Sequence, residues 1–460
     1  MAVYREARRF ALSARAAFRL AAERGESESE PALATVLGYR RGPVRLRDDA
    51  ELDAVFDRVY EELLLFGEHT WGSWETYSKP HSHFSHSHWN AKAGFAYGAW
   101  DLARDLNVEA LYRLAASGSE AASAEGVLVA NVTDVPRREA VEAEVDGNRR
   151  VTVVADLPPS SVVVLPVPPA EPEPREGATI EAGRFRAIVD PARGGVVSLL
   201  DLTTGQDLVD TGADHGLGAV VTETVTARGR SHPIFDNPKN FNPAFPGPEF
   251  ERSHASSART PWVTETDAFA RIQWSSARPG ELTAAHTLTL FRELDDIDLA
   301  VHIAKPERFA PESVFVAFPF AARSPEFLVE TAGAVFTAGS EQLPDTSQDW
   351  YSVQHAVGVR SADGTTAVLW GTVDAPLVQL GGFHTGEWAR VLDARNGHIN
   401  SWVMNNLHFT NFQARQEFTG TLHYRFRPAE PVGLRQAVRD YGSVFALPVQ
   451  ARVYAGPLGS

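Results

Sequence analysis

With 460 residues, 43% of them hydrophobic, the chain can bury a large core spread over two or three domains. Its formal charge of -16, with no run of basic residues long enough to track a phosphate backbone, excludes nucleic acid as a partner. The lack of cysteine excludes disulfides, thiolate metal sites and thiol nucleophiles, and no apolar run reaches the length of a membrane span.

The N-terminus, Met1 to Phe10, lacks the uninterrupted apolar core of a signal peptide, so a cytoplasmic protein is expected. Ala7, Phe10, Ala11, Ala14, Ala17, Phe18 and Ala21 recur at helical spacing and predict a first amphipathic helix that stops at Gly25. Glu26 to Glu30 reads as an acidic turn. Asp48-Asp49 can cap a second helix with Leu52, Val55, Phe56, Val59, Leu63 and Phe66 on one face. A third begins at about Trp89, with Ala93, Ala96, Tyr97, Trp100, Ala103 and Leu106 as its apolar stripe. Three helices with one buried face each predict a small bundle over residues 1–118. Ser117 to Gly126 reads as a linker. Short strands then follow at 127–131, 140–145, 151–154 and 161–167, giving a small β-sandwich over 125–170, closed off by the proline-rich connector Pro166 to Pro174. Beyond it, hairpins at 184–190 and 194–201 and further strands at 282–291, 297–304, 313–320, 367–370, 377–380 and 421–426 predict a large antiparallel sandwich over 175–455. The span 229–262 has little periodicity and reads as a long loop. The fold class is therefore mainly β with an N-terminal α-helical bundle.

The chemically capable stretch is Glu68-His69-Thr70-Trp71-Gly72, at the predicted end of the second helix. His69 has two readings, a satisfied structural histidine or a metal ligand. A zinc site needs three or four donors, so companions of His69 would come from elsewhere in space. His81, His83, His86 and His88 form a second group. On an extended segment His81 and His83 would share a face, as would His86 and His88, while the alternative is a solvated polar loop. A third stretch, Ser401 to Gln413, sets Asn405, Asn406 and Asn411 among aromatic residues, the combination a sugar site uses, or else forms an irregular strand. Asp295-Asp296 and Glu61-Glu62 read as solvated acidic pairs, and no GxSxG, P-loop or strand-anchored GxGxxG is present. Only four lysines occur, at 79, 92, 239 and 305, which reads as compositional bias.

Taken in order, several segments resemble the C-terminal two-thirds of glycoside hydrolase family 38, the alpha-mannosidase family, and particularly its bacterial relatives. They are Glu68 to Gly72, Ile180 to Phe185, Asp190 to Leu199, Leu202 to Asp210, Ala317 to Phe320, Asn405-Asn406 and Thr410 to Phe412. The resemblance implies a three-helix bundle, a small β-sandwich and a large supersandwich similar to that of galactose mutarotase. It also implies a retaining glycosidase whose zinc ion orients the sugar, with His69 supplying one zinc ligand. The catalytic barrel that carries the family's nucleophile, acid/base and other zinc ligands is not found in this sequence. The expectation is thus the non-barrel portion of a zinc-dependent, alpha-mannosidase-like hydrolase, inactive alone and partnered by carbohydrate and by a separate or missing barrel. Trp71 would line the sugar pocket, and Asn405, Asn406 and Asn411 would edge it. The alternatives are a non-catalytic carbohydrate-binding or assembly module, and a metal-binding protein built on His81 to His88.

Overall fold

A computed structural model of the chain describes residues 1–25, 31–33, 46–69, 71–76, 78–117, 126–145, 148–227, 249–387, 389–406 and 411–457. Three helices open the chain: α1 (Ala2–Arg24), α2 (Asp49–Gly67) and α3 (His83–Ala116). Ala7, Ala11, Ala14 and Ala17 are fully buried along α1. With no side chain beyond Cβ, that stripe lets α3 approach closely, and Val59 of α2 and Leu106 of α3 fill the space left. Asp48 caps α2 in a reciprocal box, its side chain accepting from Glu51 N (2.9 Å) while Glu51 accepts from Asp48 N (3.1 Å). Among the described residues no helix is long and apolar enough to cross a membrane.

The start of α3 corrects the sequence reading. Ser82 accepts from Ser85 N (3.1 Å) and so caps the helix ahead of His83, not near Trp89. His83, His86 and His88 therefore stand on a helix, where residues two apart point to different faces. The pairing expected of an extended segment does not arise. The acidic turn at 26–30 lies outside the described residues, as does most of the linker at 118–125.

The remainder is β. A small sheet runs Pro31–Leu33, Gln450–Pro457, Gly126–Asn131, Ser161–Leu165, next to the hairpin Arg137–Val145/Asn148–Leu157. The chain's last strand thus returns to pair with Gly126–Asn131, so the small sheet takes in residues that sequence alone had assigned to the large sandwich. That sandwich consists of a ten-stranded and a six-stranded antiparallel sheet. Their facing sides enclose Phe318, Phe320, Trp370, Tyr424 and Phe426 in one core. A fourth helix, α4 (Leu434–Ala446), covers the outer side of the ten-stranded sheet. It sets Leu434, Val438, Tyr441 and Phe445 against Leu328, Ala356, Ala367 and Leu369. A Cβ on Gly371 would lie 2.2 Å from the Phe445 ring, so glycine there lets the helix sit down.

Both acidic pairs divide, each sending one carboxylate inside. Asp296 is buried and accepts from the Tyr441 hydroxyl (3.2 Å), and burial pushes its carboxyl above the ordinary value. Glu62 is buried beside Arg58 (2.5 Å). Asp295 and Glu61 remain solvated.

Candidate functional site

The candidate site is built where the C-terminal end of α2 meets the large sandwich. A helix end leaves carbonyls without partners. Here Lys92 of α3 donates to Leu65 O (2.8 Å) and Glu68 O (3.2 Å), and its ammonium also pairs with Glu68 Oε2 (3.1 Å). The other carboxylate oxygen of Glu68 takes His69 Nδ1 at 2.7 Å. In the neutral ring a proton on Nδ1 puts the lone pair on Nε2, the arrangement in which a carboxylate orients a metal-ligating imidazole. The His69 side chain is 94% exposed, so the ring stands out from the bundle rather than inside it.

Trp71 packs among three rings, each from a different element: Phe66 of α2 (centroids 5.7 Å), Trp89 of α3 (6.0 Å) and Phe412 of the sandwich (6.4 Å). It stays half-buried, while Phe412 is 50% exposed. The next residue fixes the approach. Gly72 has φ +80°, and a Cβ there would sit 2.0 Å from Asn411 O. Ser73 N donates to that same carbonyl (3.0 Å), and Ala414 N donates to Thr76 Oγ1 (2.9 Å). Further along, Arg415 donates to Pro80 O (3.3 Å), meets His86 Nε2 (2.8 Å) and pairs with Glu307, tying the start of α3 to the sandwich.

Of the three asparagines, Asn411 reaches this junction and Asn405 does not. Asn405 ends the strand Asn396–Asn405 and stands opposite Ser313 on the six-stranded sheet. Asn406 is buried with its carboxamide turned inward. Oδ1 accepts from Glu312 N (2.8 Å), and Nδ2 donates to the carbonyls of Arg308 (3.2 Å), Ala310 (3.0 Å) and Ala414 (2.9 Å). This corrects its expected role at the pocket edge. The amide ties the 308–312 backbone to Ala414, giving partners to buried backbone groups on both sides.

No protein-family model matches the chain, and no curated protein matches it. Among solved structures, 98% of the chain superimposes on an alpha-mannosidase from Enterococcus faecalis V583, with a TM-score of 0.60 and 12% identity. The same share superimposes on a glycosyl hydrolase family 38 protein from Enterococcus faecalis, with a TM-score of 0.57 and 11% identity. The chain has the fold of part of a family 38 alpha-mannosidase. It spans 57% of the first of those chains and 60% of the second.

Within this family 38 fold the metal question turns on donor count. One imidazole backed by a carboxylate fits a single position of a zinc shell, which takes three or four donors. Among the described residues no three His, Asp or Glu side chains gather into a metal-holding group. The donors present fit one ligand and not a complete centre. Lys92 and Phe412 were missed in the sequence as parts of this site. A lone lysine on α3, in a chain whose basic residues are otherwise almost all arginine, was the available signal for the first.

Proposed function

We propose that this chain acts on carbohydrate as the bundle-and-sandwich portion of a zinc-dependent, alpha-mannosidase-like glycoside hydrolase. The chain-long superposition on family 38 structures supports this reading, and the open, carboxylate-backed His69 gives it a chemical anchor. His69 would offer Nε2 to zinc, with Trp71 and Asn411 beside it to meet a sugar ring and Asn406 holding the loop that carries Asn411. Zinc, when bound, would orient sugar hydroxyls at the scissile bond. Retaining hydrolysis needs two carboxyl groups about 5 Å apart across that bond, and we assign neither to residues of this chain.

The chain is expected to leave aryl alpha-mannosides intact, and turnover abolished by His69→Ala would refute the missing-carboxylate part of this reading. Hydrogen exchange locates the site independently of activity. Adding a mannose-type oligosaccharide with zinc should slow exchange over 66–76 and 411–415 in the native chain and not in His69→Ala. Slowing there that needs neither zinc nor His69 would favour a non-catalytic binding module instead. No slowing there under any condition overturns the proposal.

A further inference from the structure

A cavity of about 780 Å³ lies between α1, the small sheet and the outer side of the ten-stranded sheet. Small-molecule sites favour such joints between structural units. Most acidic side chains on its wall already have partners. Asp298 takes both prongs of Arg425 (2.6 and 2.9 Å), Asp374 meets His423 Nδ1 (3.0 Å), and Glu139 pairs with Arg137. Glu6 accepts from the Trp100 indole (2.7 Å), and Glu142 is exposed.

One cation on the same wall has no such partner. Arg452 belongs to the last strand, Gln450–Pro457, along which side chains alternate. Ala451 and Val453 turn to the core of the small sheet, whereas Arg452 stands opposite Leu128, which packs on the helices. Gln450, on the same side as Arg452, accepts from Asn107 of α3 (3.1 Å) and donates to Ser13 of α1 (3.3 Å). Arg104 lies one turn before Asn107 on α3, which brings its charge beside Arg452.

These two guanidinia face each other without a counter-charge. Arg452 Nη1 donates to the carbonyl of Ala451 (2.7 Å), and Arg104 lies over the Trp100 ring (5.6 Å). Neither has a carboxylate within ion-pair distance among the described residues. Burial, and then the like charge of Arg104, lower the Arg452 pKa. A desolvated guanidinium is ordinarily paired, as Arg425 is in this same cavity. Arg452 is only half-buried and lines the cavity, so a ligand can reach it. Two adjacent planar N–H forks carrying two positive charges suit the oxygens of a phosphate-type dianion.

We propose that Arg452 and Arg104 form a site for a phosphate-type dianion, free or as the phosphoryl group of a small molecule seated in this cavity. The dianion would bridge the returning last strand to α3. The site stands apart from the His69 junction and does not depend on the carbohydrate reading.

The test is calorimetry on the full chain with inorganic phosphate at low salt and about pH 8, where the ion is doubly charged. Binding should weaken by about tenfold or more in Arg452→Gln and in Arg104→Gln, since each removes a charge-assisted bond. Phosphate should also raise the unfolding temperature of the native chain, and not that of Arg452→Gln. Without phosphate, Arg452→Gln should melt no lower than the native chain, because the substitution relieves repulsion between like charges. Glycerol 3-phosphate separates the two sources of the dianion. Binding about tenfold tighter than the inorganic ion supports a carried phosphoryl group, and equal binding supports the free ion. Absence of phosphate binding, or binding that either variant leaves intact, overturns the proposal. A lower melting point for Arg452→Gln in phosphate-free buffer overturns it too, since the native cation would then be compensated within the chain.

Discussion

Two contacts at one end of the helical bundle, where Tyr4 of α1 stacks on Phe66 of α2, meet the large sandwich in opposite ways. At the start of α1, Arg5 is buried and its guanidinium is saturated. It donates to the carbonyls of Val373 (2.7 Å), Val353 (3.4 Å), Thr372 (3.1 Å) and Gln354, and touches His355 Nδ1 (3.2 Å). At the end of α2 the contact is a backbone approach through Gly72, and the polar chain Lys92–Glu68–His69 runs outward to an exposed ring. The first joint turns its guanidinium onto backbone carbonyls, whereas the second directs its polar groups outward. The difference separates an architectural pin from a surface that can take part in chemistry.

Three measurements bear on that contrast. The largest effect belongs to the pin. Arg5→Met removes the guanidinium donor to four carbonyls and should cost about 3 kcal/mol in denaturant unfolding. A loss below about 1 kcal/mol would mean that water takes over those carbonyls and the joint is not closed. Next comes Gly72→Ala, where both the positive φ and the Asn411 carbonyl oppose a Cβ. Destabilisation of about 2 kcal/mol is expected, with faster exchange over 66–76 and 411–415. Unchanged exchange would show the two segments to be docked by something other than this backbone contact.

Smallest per step is a pH effect, read one pH unit at a time. Burial and the neighbouring Arg5 hold His355 down at about 3, well below the ordinary imidazole value. Between about pH 6.5 and pH 3 the unfolded chain binds a proton at this residue that the folded chain refuses. Stability from this group is therefore present above pH 6.5 and declines as the solution is acidified, by at most about 1.4 kcal/mol per pH unit. His355→Gln should remove this part of the slope, while His69→Ala, at an exposed ring, should leave it in place. Equal slopes in all three proteins would refute the assignment.

The helices were legible because the alanine stripe of α1 and the cap at Asp48 are local signals. The Asp190 to Leu199 and Leu202 to Asp210 segments were legible for a similar reason. Asp190, Asp201 and Asp207 each accept from nearby backbone N–H groups (Ala192, Thr203, Leu199 and Val209), so turn chemistry is written directly in residue types. The start of α3 is hidden because His83 to His88 interrupts the apolar stripe, and its only local signal is the capping Ser82. Helix α4 carries a clear i, i+4, i+7 pattern and was overlooked within a β-rich context. The fate of Asn406 and the pairing of Gln450–Pro457 are different in kind. Asn406 takes partners 94 to 98 residues away and Gln450–Pro457 pairs more than 300 residues back, and local patterning carries no record of that. At the candidate site, the residue types around His69 and Trp71 could be read, but their convergence with Asn411, more than 300 residues on, could not.

The return of Gln450–Pro457 to Gly126–Asn131 also decides how the molecule can be divided. A protease cut in the exposed connector at 166–174 would nick the backbone without releasing two pieces, since the tail stays hydrogen-bonded inside the front half. Shortening the tail by a dozen residues would strip the middle of the small sheet and unroof Leu128 and Ala130, which pack against the helices. A design that splits this chain for separate expression must carry its final strand along with its first 165 residues.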